Sequence, residues 1–170
     1  DVTAKARQSK ETLAQIKAER ALTAESVTKN RVLLQTTIAS KELAMQEVVR
    51  ARAINAVALA NLEELKSNAA RTQSAAYSAG LRVAAEKRVI EANAASIASS
   101  RAIIAAEINL ADISSKLAAQ KAASTAATNA HAAAKTKEAA ATGALSTANS
   151  ALAKSALIAT TASKALATSV

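Results

Sequence analysis

His131 is the only histidine of the chain and Glu138 is the only acid after residue 118, seven residues further on, so together they are the nearest approach to a metal or acid–base pair in that stretch. Zinc or haem is held by several imidazole, thiolate or carboxylate groups converging on one point, and a chain with one His and no Cys cannot supply them from His and Cys alone. Serines and threonines are plentiful, 17 and 15. A hydroxyl nucleophile still needs a base within hydrogen-bond reach, a third group orienting that base, and a pocket that excludes water. Two glycines in all leave no Gly-rich phosphate loop. These residues predict no catalytic group, no metal, no cofactor and no small-molecule substrate, and hence no enzyme.

Three other polar residues have an informative spacing. Arg20, Lys41 and Asn55 fall in a column that recurs every seven residues from Ala6, and 14 of the 17 positions from Ala6 to Ala118 are apolar. Polar residues at such positions commonly set helix register and strand number at some cost in stability. Alternatively, a long aliphatic stem lies along the seam with its charge in water. His131 and Glu138 occupy the same kind of position, where solvation or pairing between chains is expected. Glu11 with Gln15, Glu42 with Gln46 and Glu63 with Ser67 offer little ion-pair locking, so partner choice should rest on seam shape.

The element that carries these positions is a helix. Fifty of the 170 residues are Ala, none is Pro, and Gly and Pro are the residues that most oppose helix. The chain therefore reads as all-α throughout. A thick globular core is excluded, because Tyr77 is the one aromatic and a buried Ala methyl contributes only about 0.8 kcal/mol. Stability must come from helix length, close backbone approach and partner helices.

The seven-residue pattern predicts a seam of paired columns. The first register includes Leu13, Ile16, Val27, Leu34, Val48, Leu62 and Leu65, and its leading column continues through Val83, Ile90, Ile97 and Ile104. Beyond about residue 82 its second column turns polar at Glu86, Asn93, Ser100 and Glu107. The seam then steps back one residue, to columns that include Leu110, Ile113, Leu117, Leu145, Leu152 and Leu166. One coiled-coil region over 1–170 is expected, with the first register over 1–79 and the second over 82–170. A sustained seven-residue period implies left-handed supercoiling about partner helices.

Near Gly80, in SAAYSAG at 74–80, the chain either continues or reverses. Uninterrupted, 170 helical residues would run to about 255 Å and need partner chains. Folded back near Gly80, and again at Gly143 in a three-helix version, the chain becomes an antiparallel hairpin or bundle.

Charge and hydropathy exclude other classes. The balance of +9 raises nucleic acid or an anionic membrane surface. Yet the basic residues are scattered among acids, without aromatic platforms for bases, so no nucleic-acid partner is expected. The longest uncharged stretch, 139–153, is too short for a bilayer, so no transmembrane segment is expected. A start at Asp1 suggests a processed chain.

Thr125, Thr136 and Thr147 lie 11 residues apart in an Ala-rich setting, close to three whole turns, so they share one helix face. That spacing resembles the helical fish antifreeze proteins and implies an ice-binding face as an alternative function. The stretches AAEKRVIEANAASIASSRAIIAA at 84–106 and KAASTAATNAHAAAKTKEAAATGA at 121–144, with the wider Ala-rich heptad pattern, resemble the coiled-coil silk fibroins of bees, ants and hornets. That resemblance implies a secreted, extracellular structural protein that assembles with itself or homologous chains, as a tetramer, into fibres. Frequent Ile and Val in the seam depart from the family pattern.

Overall fold

The computed structural model describes residues 2–74 and 78–167, with the side chains of 74 and 165–167 outside that description. Two helices make up the fold, α1 (Val2–Ser74) and α2 (Ala79–Ala167), and there is no strand among the described residues. The protein is all-α and of the helical hairpin kind. Leu166 falls among the side chains that are not described, and Ala76 and Tyr77 lie outside the described residues.

The reversal comes before Gly80, which stands inside the first turn of α2. Ser78 takes the capping position, a place where Ser is strongly favoured. Its carbonyl accepts hydrogen bonds from the amides of Leu81 (3.0 Å) and Arg82 (3.4 Å). No described glycine has positive φ, and a Cβ added at Gly80 or Gly143 would meet nothing within 4 Å. Neither glycine is present for a left-handed backbone or a close approach. Gly143 lies within uninterrupted helix, so α2 makes no second fold-back there.

The chain divides into two compact units whose boundaries fall within both helices rather than at the register change near residue 80. One unit, residues 34–119, contains the reversal and is called the turn unit below. The other comprises residues 1–33 and 120–170 and is called the terminal unit.

In the turn unit, covered positions on α1 run from Leu34 to Thr72 in alternating steps of three and four, and those on α2 run from Ala85 to Leu117 likewise, with Ser114 added. A helix turns once per 3.6 residues, so this alternation keeps one stripe against the neighbouring helix. The pairing is antiparallel: Gln73 bonds Glu86, Asn55 bonds Ser99, and Arg52 bonds Glu107. Ala44, Val48, Leu62, Ala69 and Leu117 are its buried apolar residues, and Ser96 is buried with them.

The terminal unit follows the same rule. Covered positions run from Val2 to Asn30 on α1 (with Ala24 added) and from Gln120 to Leu152 on α2. Ala6, Leu13 and Ala134 are buried, Ala134 to 1% exposure. Arg20 with Glu138 and Thr23 with His131 fix an antiparallel sense here too.

The helix seam as candidate functional site

Several polar residues of the seam meet one another across the helices. In the terminal unit, Arg20 Nη1 donates to Glu138 Oε2 at 2.6 Å, and Lys137 Nζ lies 3.2 Å from Glu19 Oε1. Glu138 retains only 16% side-chain exposure whereas Arg20 retains 42%, so the carboxylate is shielded while the guanidinium reaches water. Thr23 Oγ1 donates to the Arg20 carbonyl at 2.9 Å and stands 3.2 Å from His131 Nδ1. The one hydroxyl proton serves either the Arg20 carbonyl or His131 Nδ1, and while it is on the carbonyl the ring contact needs Nδ1–H as its donor. The expected solvation or interchain pairing of His131 and Glu138 is therefore corrected: both are paired within the chain.

Lys17, Arg20, Ala21, Ala24, His131 and Glu138 line an open groove of about 360 Å³. Its carboxylate and imidazole already hold other partners. Among the described residues no group of three or more His, Cys, Asp or Glu could hold a metal ion. This constellation can fix the relative position of two helices.

The turn unit has a neutral counterpart. Asn55 Oδ1 lies 2.7 Å from Ser99 Oγ and 3.2 Å from Ser100 Oγ. Each serine hydroxyl also lies 2.9 Å from the Ser96 carbonyl. One proton serves one acceptor at a time, so both serines have an intrahelical alternative to Asn55. Lys41, the remaining polar interruption, is half-buried in the covered column.

Of the residues named from the heptad pattern, Leu13, Val48, Leu62 and Leu117 are buried, and Ile16, Val27, Leu34, Leu65, Leu110, Ile113, Leu145 and Leu152 are half-buried. Val83, Ile90, Ile97 and Ile104 are not in the covered stripe. They are 65%, 69%, 48% and 57% exposed. The stripe facing α1 is instead the one containing Val89, Ser96, Ile103 and Leu110. The physical reason is the companion column: following Val83 inward would have buried Glu86, Asn93, Ser100 and Glu107, which cost far more to desolvate than Ala.

The lateral ion pairs also differ from the sequence reading. Glu11 pairs with Arg7 and Glu63 with Lys66, and both pairs are exposed. Glu25 and Lys29 stand 2.7 Å apart, one helical turn apart and exposed. The Lys29 hydrogen bond and charge hold the Glu25 carboxyl below its ordinary pKa, and Glu25 in turn raises Lys29.

Thr125, Thr136 and Thr147 are all exposed, and each hydroxyl bonds back to the carbonyl four residues earlier, at 3.0, 3.1 and 3.0 Å. The hydroxyl protons are thereby turned toward the helix itself. The row does not stay on one side of the terminal unit. Where the covered stripe recurs every seven residues, a step of 11 advances by about 50° per repeat. Relative to the neighbouring helix, the three threonines spread over about 100°.

No helix among the described residues is long and apolar enough to cross a membrane. The fold and seam define an all-α chain of two long helices whose polar contacts join one helix to the other. Comparison with protein families, curated proteins and solved structures finds no match.

Proposed function

We propose that this chain is a structural, fibre-forming protein of the silk kind, acting outside the cell through association of long Ala-rich helices in a coiled coil. The observation that carries this reading is the spacing of covered residues. Steps of three and four persist in each unit, through Leu, Ala, Ser, Asn and Arg alike. A helix built this way is a repeated contact surface, and backbone hydrogen bonds along its axis bear load.

The Ala-rich seam was expected to join separate chains. Several of its polar residues have partners within one chain, as Arg20 has Glu138 and Asn55 has Ser99. Assembly therefore calls for surface outside that seam. Concentrated protein drawn from solution should give oriented fibres that keep helical diffraction before stretching. A solution that yields only amorphous precipitate or remains fluid at every concentration would sink the fibre reading.

An ice-binding function is the weaker reading. A flat lattice needs its threonines on one plane, and the rotation of Thr125, Thr136 and Thr147 about the terminal unit counts against that. Thermal hysteresis lost on Thr136→Lys would revive it.

A further inference from the structure

Among the described residues large aliphatic side chains remain exposed at 18 positions, and 13 of them lie in the turn unit. Several share one side of that unit. Arg52 and Gln73 reach Glu107 and Glu86 across the two helices, which marks the columns holding these residues as facing the same way. Ile38, Met45 and Leu59 stand at multiples of seven from Arg52 and Gln73, and are 47%, 51% and 45% exposed. Val83, Ile90, Ile97 and Ile104 precede Glu86, Asn93, Ser100 and Glu107 by three residues, which makes them surface neighbours further round that same side. Beside the reversal this face dips into an open groove of about 400 Å³ lined by Lys66, Ala70, Gln73, Glu86 and Ile90, among others.

We propose that this face of the turn unit is the docking surface for a second copy of the chain, the two copies meeting through the Ile38 and Val83 columns. The proposal deepens the structural reading above and rests on it for the partner's identity. Three observations favour a second copy. The aliphatic residues leave on the order of 800 Å² in water, about what one partner contributes to a standard interface. The Val83 column recurs every seven residues, the period of the stripe that already joins α1 to α2, so a helix of this same chain matches it in pitch.

Charge is the third. The columns that make this face hold two basic residues, Arg52 and Lys66, and two acidic ones, Glu86 and Glu107, while the Val83 column holds no charge. Two such faces do not repel each other. An anionic lipid surface or nucleic acid would instead be drawn to an excess of positive charge, and this face has none despite the +9 of the chain.

Sedimentation equilibrium of the full chain tests the proposal. The wild type is expected to be a reversible dimer or higher even-numbered species. Ile90→Lys with Ile97→Lys should weaken that association by about a hundredfold, because charge is then forced into the contact. Both sites are at least 48% exposed, so circular dichroism should show unchanged helix. Leu43→Lys, on an exposed position away from the Val83 column, should associate as the wild type does. A double variant that still dimerises fully overturns the assignment of the face. A wild type that stays monomeric at every concentration, or that binds anionic vesicles as a monomer, overturns the second copy as occupant. Fibre drawing reads the wider function separately: monomers that still draw into fibres sink only this face, and dimers that never do sink only the fibre reading.

Discussion

The turn unit and the terminal unit share one construction rule and apply it to different materials. Residues 34–119 contain 22 Val, Ile, Leu and Met residues, with 10 basic and eight acidic side chains. The terminal unit, nearly equal in length, contains 13 such aliphatics, with 12 basic and five acidic side chains. The first therefore has aliphatic surface left over after its seam is filled. The second leaves much of its seam to small and polar residues: between Leu117 and Leu145 α2 carries no Val, Ile, Leu or Met. Its most buried described residue is an alanine, Ala134, at 1% exposure. The same spacing thus gives one unit with more aliphatic side-chain volume and one with less.

The sharpest way to break that contrast is to exchange the two materials. Leu62→Ala in the turn unit removes a side chain that is 5% exposed and should cost about 2–3 kcal/mol through lost transfer energy and an incompletely closed cavity. Ala134→Leu makes the opposite change and should cost about 1–3 kcal/mol, because the extra volume pushes the helices apart. Hydrogen exchange resolves where each loss falls: faster exchange over 34–119 in the first variant and over the terminal segments in the second. Equal tolerance of both changes would mean that the units do not differ in this way.

The polar interruptions should differ in sign. Arg20→Met leaves the Glu138 carboxylate shielded without its cation. Full burial would make this severe, but Arg20 is 42% exposed and solvent screening reduces the loss to about 1–2 kcal/mol. Asn55→Leu should instead stabilise the turn unit by about 1 kcal/mol, since Ser99 and Ser100 fall back on the Ser96 carbonyl while an apolar side chain enters the stripe. Thermal midpoints of the two variants should move in opposite directions. A fall for Asn55→Leu would show that its amide contributes net stability as well as register.

Helix content was legible in composition, and the stripe was legible in the step of three and four, because both are local properties of the chain. Even the one-residue shift of the α2 stripe could be read, since Glu86, Asn93, Ser100 and Glu107 are costly to bury. The reversal could not be derived. SAAYSAG contains residues that tolerate helix, and its glycine proves to be helical rather than the turning residue. Only the match between α1 and α2 decides it, and that match is non-local. For the same reason the partners of Arg20 and His131, 118 and 108 residues away, carried no local signal. The division into units at 33/34 and 119/120 has no marker in the heptad pattern either.

The glycines provide a smaller test, one in each unit. Gly80 and Gly143 are helical, lack positive φ, and have open space where a Cβ would stand. Gly→Ala should then stabilise each by about 0.5–1 kcal/mol, through the entropy lost by the unfolded chain and better helix propensity. Gly80 lies in the first turn, where helix propensity counts less, so Gly143→Ala should give the larger rise in thermal midpoint. The reverse order would mean that the start of α2 limits the stability of the turn unit.

The smallest expected effect belongs to Glu25 and Lys29, an exposed pair in the terminal unit with Glu one turn before Lys, the favourable order on a helix. Glu25 has its folded pKa lowered, first by the hydrogen bond from Lys29 and then by its charge. Its contribution is present above the ordinary carboxylate range and is lost as pH falls through the depressed value. Lys29 has its pKa raised by the same partner. That contribution is present below the ordinary Lys value and is lost as pH rises through the raised one. Neutral pH lies inside both windows. Glu25→Gln should therefore lower the thermal midpoint slightly near pH 7, with the difference from wild type vanishing in strong acid and shrinking in added salt. A deficit that persists in strong acid would place the role of Glu25 in helix propensity rather than in its charge, and would remove the ion pair from the account of the terminal unit.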